Sequence, residues 1–237
     1  MIVSLIVFVT IVFLALPSAA IFIPFTLLTG NVGPLYAVGS WIARVAIRVA
    51  GIRIQIQGKE KIPPGRACIL MANHLSNLDA PALMSNLPDR TVVFLKRSLM
   101  NIPILGYAFK LAGFIPVARD GTVEGAQLAV AYAQRVLANG LHITTFVEGM
   151  RSPDGRMLPF KKGTFYLAKD SGASCIPISI FGSEKILPPG SLRIRPGVVH
   201  IIFHPPLDPA NYATRDELSD AVRAAIASAL PEWMRTN

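Results

Sequence analysis

Beyond residue 50, short apolar runs with strand character alternate with longer stretches of helical period along the chain. Residues 53–57, 68–72, 91–95, 114–117, 142–147, 175–181 and 198–203 read as strands. Between them, 78–87, 98–112, 122–139, 161–171 and 214–230 read as helices, the third carrying Ala126, Val130, Ala133 and Leu137 on one stripe. Alternation of this kind predicts an α/β fold, a single central mixed sheet flanked by helices. Pro177 inside the strand 175–181 predicts either an edge position or the start of pairing, because proline lacks the ladder donor. No linker-like or low-complexity stretch follows residue 60, so 51–237 is expected to form one domain.

The first 50 residues follow a different pattern. Met1 to Leu28 is almost wholly apolar and, as one straight helix, would reach about 42 Å against a hydrocarbon core of about 30 Å. Pro17 and Pro24 argue against one straight helix, since each removes a donor and crowds the preceding turn. The run lacks the basic n-region of a signal peptide. It is expected to be a retained anchor, either a span or a re-entrant hairpin. After the turn-like Thr29–Pro34, the residues Leu35, Val38, Ile42, Val45 and Val49 recur at three- and four-residue steps, with Arg44 and Arg48 on another face and Trp41 near the stripe. That pattern fits a helix lying in a membrane interface or one packed on a core. Residues 1–50 thus predict an apolar hairpin or two-helix membrane-anchoring segment.

Charge sharpens this division. The 237 residues carry 23 Lys or Arg and 14 Asp or Glu, a net charge of +9, and the first charged residue is Arg44. With 52% hydrophobic residues the chain is no disordered polycation. The aromatic residues sit inside apolar runs rather than between basic ones, so nucleic acid is not an expected partner. Arg44, Arg48, Arg53, Lys59, Lys61 and Arg66 follow the anchor with only Glu60 opposing them, which predicts a cytoplasmic domain. Cys68 and Cys175 fit no CxxC pattern and read as buried thiols. Four scattered His and two Cys make no metal-ligand cluster.

Familiar catalytic signatures (GxSxG, HExxH, the Walker A loop, a helix-opening GxGxxG) are absent. The first positive signal is Asn73-His74-Leu75-Ser76-Asn77-Leu78-Asp79. Five residues apart, His74 and Asp79 would lie about 140° from each other on an ideal helix. They can meet if His74 stands in the loop leaving strand 68–72 and Asp79 in the first turn of the next helix. A carboxylate on one imidazole nitrogen holds the tautomer and makes the other a general base. That spacing is common by chance, with an expectation of about 0.14 occurrences in such a chain. Glu148-Gly149-Met150-Arg151-Ser152 is far rarer, at about 0.002. Its glycine permits a tight turn, and its arginine can fork onto a phosphate. Gly113-Phe114-Ile115-Pro116-Val117-Ala118-Arg119 places another arginine after a short apolar strand, and Cys175–Ile180 contains the internal proline.

In this order, the four blocks resemble those of the glycerolipid acyltransferase family, in particular its 1-acylglycerol-3-phosphate (lysophosphatidate) acyltransferases. The resemblance covers about residues 66–203. It implies His74 as base, Asp79 orienting it, and Arg119, Glu148, Gly149, Arg151 and Ser152 in binding the acceptor phosphate. Lys96 stands where members often carry a lysine and joins that set. Val147 replaces the usual proline before Glu-Gly, and Met150 the usual threonine; neither changes a charge. The implied reaction moves an acyl group from acyl-CoA or acyl-carrier protein to the sn-2 hydroxyl of 1-acyl-glycerol-3-phosphate, giving phosphatidic acid, with no cofactor or metal. Implied partners are the lysophospholipid, the thioester and the bilayer, with acyl-carrier protein as the alternative donor; the implied place is the inner membrane, domain on the cytoplasmic side. Other lyso-acceptors (an ornithine-type lipid, glycerol-3-phosphate, lysocardiolipin) would use the same residues. A non-catalytic protein binding anionic lipid is the reading from a different class.

Overall fold

A computed structural model describes residues 1–87, 90–117 and 123–235, without the side chains of 123–129. The first element is one continuous helix, α1 (Ile2–Thr29), ended by Gly30 in the left-handed conformation with its N–H on the Thr26 carbonyl. Of the two forms expected, a span or a re-entrant hairpin, the hairpin is therefore absent, and Pro17 and Pro24 lie inside the helix without breaking it. Seven residues apart, the two prolines fall on the same side of the helix, so the intact hydrogen bonds on the other sides carry it through.

Asn31 Oδ1 then accepts the Gly33 N–H at 2.9 Å, and Pro34 stands in the first turn of α2 (Gly33–Val49). The two helices pack together, matching the expected two-helix segment. In α2 the buried face is Leu35, Ile42, Ala46 and Ile47, rotated from the expected stripe; Val49 and Trp41 remain 42% and 44% exposed. The rotation has a polar cause as well, since Arg44 Nη1 turns inward to the Ser85 carbonyl at 2.7 Å.

Seven strands form one mixed sheet: β1 (Ile52–Gln57), β2 (Ile69–Ala72), β3 (Thr91–Lys96), β4 (Ile115–Val117), β5 (His142–Phe146), β6 (Cys175–Phe181) and β7 (Gly197–Phe203). Their order is β1-β7-β6-β2-β5-β3-β4; only the β6–β7 pairing is antiparallel. The helices are α3 (Asp79–Met84), α4 (Leu105–Leu111), α5 (Val123–Ala138), α6 (Gly163–Ser171), α7 (Ser183–Ile186) and α8 (Arg215–Ala229). The expected fold class therefore holds.

Alternation along β2 divides the core. Ile69 and Met71 join one cluster with Ala133, Phe165, Leu167 and Val222; Cys68, Leu70 and Ala72 face the other with Ala46, Ile47 and Leu83. Both sheet faces are thus covered, which is why the central strand β2, Ile69–Ala72, reads as an unbroken apolar run.

Two expectations about proline resolve differently. Strand β6 is internal, not an edge, but Pro177 lies one residue before the β6–β7 ladder begins at Ile178 and Phe203. Its carbonyl still accepts the His204 N–H at 2.9 Å, so only its missing donor faces the unpaired end. The helix expected over 98–112 is instead a 3-10 turn, Arg97–Asn101, followed by α4. Pro103 is the cause: it bars helix in the residue before it, and Ile102 is extended.

Candidate active site

Strands β2, β5, β3 and β4 are mutually parallel through β5 and β3, so their C-terminal ends open on one edge of the sheet. In such sheets ligands bind beyond the carboxyl ends of the strands. His74 follows β2, Glu148–Ser152 follow β5, and Lys96 ends β3. Arg119, two positions past β4, lies outside the described residues.

The loop after β2 is held on several sides. Asn73, 1% exposed, donates from Nδ2 to the Ile180 carbonyl at 2.8 Å and accepts the Ile180 N–H on Oδ1 at 2.7 Å. Its side chain thus continues the β2–β6 pairing one step beyond the strand. Next, Asp79 at the start of α3 turns Oδ2 back into the loop. That oxygen accepts the Leu75 N–H at 2.7 Å and the Ser76 N–H at 2.8 Å. It also meets His74 Nδ1 at 2.8 Å.

Those three contacts settle the tautomer. An oxygen already receiving two amide hydrogens acts toward the ring as an acceptor, so Nδ1 carries the proton and Nε2 keeps its lone pair. Asp79 is wholly buried and the His74 side chain is 15% exposed, which leaves the imidazole as the reachable member of the pair. Phe146, the last residue of β5, stacks on the imidazole at 4.0 Å between centroids and 18° between planes. The His74 carbonyl accepts the Ser152 N–H at 2.8 Å, joining the two motif loops directly.

Within the second motif the residues separate by exposure. Glu148 is 1% exposed, and its oxygens complete no well-formed hydrogen bond among the described residues, although the amides of His74 and Leu158 lie near them. Burial pushes its carboxyl up to about 8, the negative Asp79 adds to this, and the amides of His74 and Leu158 only partly oppose it. Ser152 is equally buried, and its hydroxyl donates to Asp154 Oδ1 at 3.0 Å. Gly149 has φ +71°, and a Cβ there would lie 2.9 Å from Lys161 Cγ. Arg151 is half-buried, and no described carboxylate pairs with it. Lys96 and Lys161 are exposed.

The geometry therefore brings His74, Asp79, Glu148, Gly149, Arg151 and Ser152 together. Lys96 stands on the same edge but two strands away, about 10 Å at the usual strand spacing. Glu148 and Ser152, expected to touch the acceptor's phosphate, are instead buried, each 1% exposed. Sequence reasoning missed Asn73, Phe146 and Lys161 as members of the site. Asn73 and Phe146 were inside the quoted motifs, but only pairing across the sheet reveals what they hold. Lys161 comes from a third segment and carried no motif signal.

Residues 53–181, more than half of the chain, match the family described as Acyltransferase. The chain belongs to the acyltransferase family. This acyltransferase is 36% identical over 183 residues to the 1-acyl-sn-glycerol-3-phosphate acyltransferase of Chlamydomonas reinhardtii, covering 76% of this chain and 53% of that one. It is 32% identical over 185 residues to 1-acyl-sn-glycerol-3-phosphate acyltransferase alpha of Mus musculus, covering 77% and 65%. The chain thus spans about half to two-thirds of these two relatives' own lengths. Among solved structures, the 1-acyl-sn-glycerophosphate (LPA) acyltransferase PlsC from Thermotoga maritima superposes with a TM-score of 0.80 at 25% identity, covering 94% of this acyltransferase and 92% of PlsC. His74, Asp79 and Glu148–Ser152 all lie within the family match.

Proposed function

We propose that this acyltransferase moves a fatty acyl group from a thioester to the sn-2 hydroxyl of 1-acyl-glycerol-3-phosphate, forming phosphatidic acid. The observation that carries the chemistry is the His74–Asp79 pair at the open edge of the sheet, in which Nδ1 faces Asp79 and Nε2 has no partner among the described residues. The relatives' names support the choice of acceptor.

The steps follow from the geometry. Nε2 takes the proton of the acceptor hydroxyl as its oxygen attacks the thioester carbonyl carbon. Asp79 Oδ2 steadies the resulting imidazolium through Nδ1. The tetrahedral intermediate collapses, the carbon–sulfur bond breaks, and the leaving thiolate receives the proton held on Nε2. No acyl-enzyme is needed. Ser76 is wholly buried with its hydroxyl donated to the Leu187 carbonyl at 2.7 Å, so it is no nucleophile. The buried Cys175 thiol is pushed up to about 12 by burial, which keeps it out of the thiolate form.

Arg151 supplies a free guanidinium for the acceptor phosphate, with Lys96, Lys161 and Arg119 as further cations. Glu148 and Ser152 act by bracing the loops. The exposed apolar α1 seats the protein at the inner membrane, with the catalytic domain on the cytoplasmic side. The donor is acyl-CoA or acyl-carrier protein, and no cofactor enters the steps. The test is transfer by the purified full-length protein to lysophosphatidate, glycerol-3-phosphate, lysocardiolipin and an ornithine-type lyso-lipid, each with both donors. Product with lysophosphatidate, lost in His74→Ala, is expected. No transfer to any acceptor would overturn the enzyme reading.

A further inference from the structure

Between β3 and β4 the chain makes the 3-10 turn Arg97–Asn101 and the short α4. This segment is fastened from below: Met100 is buried with Ala112 and Phe114, and the cluster packs against Val32 of the α1–α2 connection and Tyr36 of α2. Gly106 is part of the fastening, since a Cβ there would collide with the Met100 carbonyl. The outer side is apolar. Leu99, Ile102, Ile104, Leu105 and Tyr107 are 38–45% exposed.

The tip is also strained. Ile104 has φ 63° and ψ −60°, and Leu105 N–H closes on the Pro103 carbonyl at 2.6 Å. This is the classic form of the γ-turn, rare for any residue and an outlier for a β-branched one. Ile104 is 45% exposed, so the strain does not serve the core. Strain of this kind is held by the surrounding packing and clusters at functional segments. Around the tip the charge is of one sign: from Arg90 to Val117 there is no Asp or Glu, while Lys96, Arg97 and Lys110 are exposed. An apolar tip ringed by cations matches hydrocarbon lying beneath anionic phosphates. The tip also adjoins the exposed α1, which touches α4.

We propose that Ile102–Leu105 is a second membrane-insertion element, entering the acyl region of an anionic leaflet while Lys96, Arg97 and Lys110 meet the lipid phosphates. The proposal rests on the reading of this protein as membrane-seated and adds an anchoring point on the catalytic domain itself. Its position between β3 and β4 ties it to the strands that open on the site edge. Insertion therefore holds that edge at the level of the headgroups, where an amphiphilic acceptor presents its hydroxyl and phosphate.

The experiment uses full-length protein with Trp41→Phe and Trp233→Phe, carrying a single tryptophan through either Ile104→Trp or Phe13→Trp. Each protein is reconstituted with phosphatidylglycerol vesicles brominated on the acyl chains. Strong quenching in both is expected. Quenching in Phe13→Trp but not in Ile104→Trp overturns the insertion and leaves the membrane-seated reading standing. Quenching in neither overturns both. Because tryptophan can disturb the turn, Ile104→Gly is the companion variant. It should raise the melting temperature by releasing the positive φ, yet lower transfer from detergent micelles to anionic vesicles about tenfold. Unchanged transfer overturns the proposal. So does an Ile104→Asp variant that binds vesicles normally but dissociates a dimer, which would assign the patch to a second copy of the chain.

Discussion

The imidazole of His74 lies between a carboxylate at its edge and a phenyl ring on its face: Phe146 stacks on it at 4.0 Å while Asp79 holds Nδ1 at 2.8 Å. Those two contacts constrain different motions. The hydrogen bond fixes rotation within the ring plane and the tautomer, and the stack fixes the plane itself. Phe146→Leu should therefore lower kcat about tenfold with little change in KM for either substrate, whereas Phe146→Tyr retains most activity. The energetic scale is that of one ring–ring contact, about 1 kcal/mol. Steady-state kinetics with lysophosphatidate checks this; an equal fall for Tyr and Leu would show that stacking is not the operative contact.

Asp79→Asn keeps the shape but exchanges an acceptor for a mixed donor and acceptor. Three donors converge on Oδ2, namely two amides and Nδ1–H, and an amide group cannot serve them as a carboxylate does. The expected result is a loss of about 10³–10⁴ in kcat. A lower melting temperature should accompany it, because the same oxygen organises the loop. Retention of near wild-type kcat would contradict the base assigned to His74.

Asn73→Ala separates folding from chemistry. It leaves the Ile180 N–H and carbonyl buried without partners, at about 1–3 kcal/mol for each unsatisfied group. Denaturant unfolding in detergent should show a clear fall in midpoint. The activity remaining at low temperature should keep its wild-type pH profile, since no proton-transfer group has changed.

Glu148 makes stability depend on pH in a definite direction. Its carboxyl is raised in the fold from 4.5 to about 8, so between those values the folded state holds the proton and the unfolded state does not. Stability from this group is full below about 4.5 and is lost as pH rises to about 8, at up to about 1.4 kcal/mol per pH unit. Glu148→Gln should flatten that slope and stabilise the protein at pH 8 and above. Melting temperatures across pH 5–9, with wild type and variant side by side, give the comparison. Parallel curves would mean that the carboxyl is not held neutral.

Gly149→Ala should be costly for two separable reasons, the left-handed φ of +71° and the Cβ contact of 2.9 Å with Lys161 Cγ. Adding Lys161→Ala removes the second cause only. Stability should recover in part, while KM for the acceptor rises because the cation packed against Gly149 has been lost.

Much was legible because local chemistry dictates it. Burial on both faces made β2 a continuous apolar run and β6 one broken only by Ser179, and Thr214 caps α8 through the Glu217 N–H at 3.1 Å, as a Ser/Thr-x-x-Glu start predicts. The His74–Asp79 pairing was legible through the family resemblance, and the loop-to-helix placement read for the two residues is the one that lets them meet. Pro103 was overlooked, and with it the division of the expected helix into a turn and α4.

By itself the sequence determined the strand and helix alternation, the uncharged first 43 residues and the residue types of the motifs, because each depends on neighbours within a few positions. The tertiary structure alone decided which strands lie side by side, and through that order β2 and β5 became neighbours. Only then could Phe146 cover His74 and Ser152 reach its carbonyl. It also decided that Glu148 and Ser152 are buried while Arg151 is reachable, three nearly consecutive residues with opposite fates. The physical reason is that exposure at a strand end is set by what the adjacent strands place over it, and non-local pairing leaves no local signature.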